Sequence, residues 1–62
     1  MKVEVGMRVR AFHPATLGVV REGAVVGIGE VYVTVDFGLL GAGVFRVRPE
    51  DIVGVERLNG EK

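Results

Sequence analysis

The chain predicts an all-β domain of five short strands, and three observations carry that prediction. Apolar residues recur at every second position in Val31-Tyr32-Val33-Thr34-Val35-Asp36-Phe37, the period of a half-buried strand. The composition is 48% hydrophobic and rich in valine, whose β-branched side chain suits strands better than helices. Glycine and proline punctuate the apolar runs at short intervals, leaving no segment long enough for a substantial helix.

The elements follow in order. Met7 to Phe12 alternates, with Met7, Val9 and Ala11 on one face and Arg8, Arg10 and Phe12 on the other, and makes a first strand. His13-Pro14-Ala15-Thr16-Leu17-Gly18 ends it, because proline lacks the ladder N–H and forces the preceding residue to be extended. The loop so begun is expected to run to about Glu22. Gly23 to Ile28 is a second strand and Val31 to Phe37 a third, joined by a two-residue Gly29-Glu30 turn with glycine first. Val31, Val33, Val35 and Phe37 are placed on the buried face. Gly38-Leu39-Leu40-Gly41-Ala42-Gly43 is a glycine-rich connection, and Val44 to Arg48 a fourth strand. Pro49-Glu50-Asp51 suits a single helical turn, since proline is tolerated in the first turn and acids favour the N-terminus. Ile52 to Val55 is the fifth strand.

The pairing of strands three and four is constrained by their side chains. Setting Val35 against Val47 and Phe37 against Phe45 on the inside puts Asp36 beside Arg46 and Thr34 beside Arg48 on the outside. A slip of one residue would oppose valine to arginine, so the register is specified to within a shift of two.

Length and charge bound the function. A domain of 62 residues buries about 60% of its unfolded surface and must use nearly all of its apolar residues. It is read as one domain over residues 1–62, with a core at 6–56, a fraying tail at 57–62, and no repeat or linker. The absence of cysteine excludes a disulfide scaffold or a thiolate metal site and favours a reducing compartment. Eight basic and eight acidic residues cancel, so any nucleic-acid contact has to be local. No apolar run reaches membrane-spanning length and the start lacks a signal-peptide pattern, which gives the expectation of a cytoplasmic protein without membrane contact. Serine and glutamine are absent and Asn59 is the sole asparagine, as expected of a thermophilic source or of GC-rich codon usage.

Five short strands, a long first loop, a tight second hairpin and a helical turn before the last strand resemble the SH3-like barrel, particularly its Tudor-like and KOW-like members. The likeness spans Gly6 to Val55. Val9-Arg10-Ala11, His13-Pro14 with Thr16, Gly23 with Val25, Val35-Asp36-Phe37 and Leu40-Gly41 resemble the Tudor-like segment of the Always-early chromatin regulators. The resemblance implies a small five-stranded SH3-like barrel acting as a binding module. Tudor domains that read methylated side chains use a cage of several rings. Here only Phe12 and Tyr32 are placed outside, Phe37 and Phe45 being assigned to the core. Val35-Asp36-Phe37-Gly38 is similar to a strand of hydrogenase-assembly chaperones, which need an N-terminal cysteine that this chain lacks. Gly6-Met7, Arg8-Val9-Arg10, Gly27 and Glu56-Arg57-Leu58-Asn59 look similar to type II dihydrofolate reductases. Their Gln-Ile-Tyr stretch is replaced by Val44-Phe45-Arg46-Val47, so their chemistry does not carry over.

No constellation for catalysis, metal or cofactor is legible, and the expectation is a non-enzymatic module. Its candidate nucleic-acid surface is Arg8, Arg10, Phe12, Tyr32, Arg46 and Arg48, a basic stripe with rings to stack on bases. The structural alternative pairs Arg46 and Arg48 with Asp36 and Glu50, leaves Arg8 and Arg10 solvated, and packs Phe12 and Tyr32 against a neighbouring arginine or the folded first loop. A second candidate is a protein-interaction or self-association patch at Leu39 and Leu40, which either project from their loop or fold back onto the open end of the barrel. His13, without a nearby carboxylate or second ligand, reads as a turn residue. Gly27-Ile28-Gly29 lacks the third glycine and following helix of a phosphate loop and reads as a turn.

Overall fold

The computed structural model describes residues 3–56, so the expected tail at 57–62 lies outside the described residues. Five strands, β1 (Arg8–Phe12), β2 (Val20–Ile28), β3 (Val33–Asp36), β4 (Val44–Val47) and β5 (Ile52–Glu56), form one antiparallel sheet. Their order across the sheet is β4-β3-β2-β1-β5. A 3-10 turn at Pro49–Asp51 precedes β5. Among the described residues β4 and β5 do not pair, so the sheet stays open along two edges. No helix among them is long and apolar enough to cross a membrane.

One core packs on one face of the sheet. Val9, Ala11, Val25, Val33, Val35, Phe37, Val47 and Ile52 are buried, with Val3, Phe45 and Val55 packed against them. These are the inward members of the alternating strands, and the apolar area they remove from water is the main stabilising term. The β3–β4 register is shifted by two from the expected pairing. Val33 faces Val47, Val35 faces Phe45 and Thr34 faces Arg46, so apolar still meets apolar, but Asp36 lies opposite Val44 rather than Arg46.

Three boundaries depart from the sequence expectation. β2 begins at Val20 instead of Gly23, because Phe12, Ala11 and Arg10 pair with Val20, Arg21 and Glu22 and so extend the ladder into the expected loop. β3 begins only at Val33. Gly29 N–H donates to Tyr32 O at 2.8 Å, which centres the hairpin turn on Glu30 and Val31 rather than on Gly29-Glu30 and leaves Val31 61% exposed instead of buried. β2 also carries a bulge between Val25 and Gly27, and the β1–β5 pair another between Arg10 and Ala11. Each extra residue, Val26 in one case and Val53 in the other, is exposed.

Candidate functional site

The candidate arginines fall into two groups. Arg8, Arg10 and Phe12 project outward from β1, as their alternation requires. Arg8 lies between Ala24 and Glu56 on the neighbouring strands, and Arg10 between Glu22 and Gly54. Arg10 lies flat across β5: a Cβ at Gly54 would come within 2.5 Å of its Nη2. Arg46 and Arg48 belong to the β4 side. β2 and β3 separate β4 from β1, three inter-strand steps or roughly 14 Å along the sheet. The six residues therefore do not make one continuous stripe.

The β4 group is the more compact. The Arg46 guanidinium carbon is 5.9 Å from the centre of the Tyr32 ring, within cation–π range. Arg48 Nη1 meets Glu50 Oε2 at 3.7 Å, a solvent-exposed pair that contributes little. The expected Arg46–Asp36 pairing does not form. Asp36 Oδ1 instead accepts the Gly38 N–H at 2.9 Å and starts the turn that follows β3.

The opposite kind of surface is built by two loops, residues 13–19 and 38–43. Neither loop contains a Lys, Arg, Asp or Glu. Leu39 and Leu40 are 95% and 94% exposed, so they project and do not fold back. Leu17, which the sequence did not single out for binding, is 99% exposed. Both loops are internally bonded. In the first, His13 N–H donates to Val19 O at 2.8 Å and Thr16 N–H to His13 O at 3.2 Å. In the second, Gly43 N–H donates to Gly38 O and Phe37 N–H to Gly43 O, with the left-handed backbone at Gly38, Ala42 and Gly43 allowing the tight path. Gly41 has no room for a side chain, because a Cβ there would sit 2.6 Å from Phe37 Cβ and 2.9 Å from Phe37 O.

His13 is a turn residue, as expected, since its carbonyl accepts the Thr16 N–H and its ring the Ala15 N–H, and it also joins the loops. It is only 6% exposed. Its Nε2–H donates to Gly41 O at 2.9 Å, while Nδ1 accepts the Ala15 N–H at 3.1 Å. Because one partner can only accept and the other can only donate, the ring is held as the Nε2–H tautomer. The imidazole centroid lies 4.8 Å from Phe37 and 4.6 Å from Phe45, so three rings pack together beneath the loops. A His before a proline hides this role, since Gly41, Phe37 and Phe45 are remote in sequence.

Beside the first loop a groove of about 570 Å³ opens among Phe12, His13, Pro14, Leu17 and Asp51, which stands at the end of the 3-10 turn. Among the described residues no group of three or more His, Asp or Glu side chains is placed to hold a metal ion. Compared with protein-family models, curated proteins and solved structures, the chain matches none of them.

Proposed function

We propose that this chain is a non-enzymatic assembly module of SH3-like barrel type that associates with a second copy through its charge-free end. The observation that carries the reading is the His13–Gly41 hydrogen bond, which couples the two loops bearing Leu17, Leu39 and Leu40. Three leucines held almost wholly in water by bonded loops forgo the burial that apolar side chains ordinarily obtain. Two such ends can meet by a two-fold contact between the loops themselves without opposing like charges, since neither loop carries any. The five-stranded antiparallel sheet over a single core supports the SH3-like part of the reading, and a cytoplasmic setting suits the cysteine-free composition. The non-enzymatic part of the reading is supported by His13, whose two nitrogens are both taken by backbone partners. Light scattering across a concentration series tests the proposal. Association that disappears in a Leu17→Ser, Leu39→Ser, Leu40→Ser variant of unchanged fold supports it. A wild type that stays monomeric to its solubility limit overturns it.

A second reading, nucleic-acid or nucleoprotein binding, rests on the Tyr32–Arg46 contact with Arg48 close by in sequence. Titration of a labelled single strand and a labelled duplex at two salt concentrations decides it. Phosphate contacts would make affinity fall linearly with salt on logarithmic axes.

A further inference from the structure

We infer that His13 is a proton-sensitive latch: taking up a proton uncouples the two apolar loops and weakens the association end they form. The latch rests on the self-association reading only for that last consequence, since the coupling itself lies within one chain. The neutral ring suits its site atom by atom. Nε2–H donates to Gly41 O at 2.9 Å, and the bare Nδ1 accepts the Ala15 N–H at 3.1 Å. Imidazolium carries a proton on both nitrogens, so its Nδ1–H would meet a second donor and the Ala15 bond would be lost. The surroundings offer the cation little in return. The ring is buried, and its other close neighbours are the Phe37 and Phe45 rings, whose attraction for a cation is small beside the hydration it gives up.

No charged group of the adjoining elements compensates. Neither loop contains one. Asp36, at the end of β3, accepts the Gly38 N–H, and Arg46, on β4, lies by the Tyr32 ring. On β1 Arg10 lies across Gly54, and on β2 Arg21 is exposed. In the 3-10 turn Glu50 meets Arg48, and Asp51 lines the groove beside His13. Among the described residues no ion pair or hydrogen bond joins any of these groups to the imidazole. The closed form therefore binds one proton fewer than a form in which the ring reaches water. Acid favours the form that binds more protons, so lowering the pH opens the latch and frees the loop of Leu17 from that of Leu39 and Leu40. The coupling is reciprocal, and association of two closed ends expels protons.

The test is an NMR titration of the full chain from about pH 7.5 to about pH 5.5, the range in which imidazoles change charge, with light scattering at both ends. His13 is the only histidine, so its ring signals are unambiguous. The ring should be the Nε2–H tautomer at the upper pH. As it takes up a proton, the Ala15 and Gly41 amides should shift with the same midpoint, the Ala15 amide should exchange faster, and association should weaken by about tenfold. His13→Phe, which keeps an aromatic ring but cannot titrate, should show none of these responses, and Asp51→Asn should keep them all. A ring that stays neutral throughout, loop amides that ignore its titration, or the same acid response in His13→Phe would each overturn the latch; the first two need no variant. The titration is repeated on the Leu17→Ser, Leu39→Ser, Leu40→Ser variant. Acid uncoupling of the loops with a wild type that is monomeric at both pH values would support the latch and overturn the association reading alone.

Discussion

The loop end and the outer sheet surface are built on opposite terms. On the sheet, Arg8 and Arg10 stand beside Glu56 and Glu22, so charge is answered by charge within one strand spacing. At the loop end nothing charged is present in either loop, and the exposed groups are leucines. Solvated charges of alternating sign are content in water, whereas exposed leucines stand to gain from being covered. The difference teaches that a net charge of zero is distributed unevenly, and that the uneven part is where a partner gains most.

The most severe way to break both regions is to remove their common support. Val35, in β3, is fully buried in the single core. Val35→Asp should unfold the domain, because an unpaired buried charge costs several kcal/mol against a total of about 5 kcal/mol for so small a protein. A far-UV dichroism melt within a few degrees of wild type would sink the core assignment.

His13→Ala distinguishes the regions. It removes two hydrogen bonds and two ring contacts, and should cost roughly 2–4 kcal/mol in denaturant midpoints. Hydrogen exchange should speed up at Ala15, Gly41 and Gly43 while the β1–β2 amides keep their relative protection. Uniform loss of protection would mean that the loops are not coupled through this ring.

Leu39→Ser with Leu40→Ser sharpens the contrast from the other side. Stability should move by about 0.5 kcal/mol or less, since both side chains are already in water, whereas association is lost. The smallest effect is expected of Arg46→Ala with Arg48→Ala, which leaves the melt within about 0.5 kcal/mol of wild type. If oligonucleotides bind at all, this pair should flatten the salt slope by about one unit per lost phosphate contact, and an unchanged slope would remove β4 from that reading.

Much of this architecture was legible in the residues. The alternation of Val33 and Val35 and of Val9 and Ala11 marked the inner face because side-chain period and burial are the same fact in a strand. The parity argument located β4 against β3 to within its stated shift. The bulges were not legible, because Val26 and Val53 are apolar residues in apolar strands and nothing in their neighbours says that they stand unpaired. The turn at Glu30 and Val31 escaped for a related reason: glycine marks a turn without fixing its centre. At the candidate sites, Arg46 and Tyr32 were named individually, but their contact depends on register. His13 was placed in its turn, but its bond across to the second loop was missed because its partner Gly41 lies 28 residues away, and one histidine carries no sign of the carbonyl it will meet. Leu17 was overlooked for the same reason, since exposure at a loop tip is a tertiary property.

The two edges of the sheet that are unpaired among the described residues, β4 and β5, set how this protein behaves in a crowded solution. A bare strand edge is a template on which any extended chain can continue the ladder, and fibrous aggregation begins that way. β4 is four residues long and holds Arg46 among apolar residues, with Arg48 just beyond its end and Pro49 one residue further. β5 is interrupted opposite β1 by its bulge and ends in Glu56. A second β4 laid antiparallel on the first would bring guanidinium groups toward one another, so Arg46 and Arg48 act as gatekeepers of solubility even when they bind nothing. Replacing both with valine should leave the fold intact and turn a clear solution into a thioflavin-positive one.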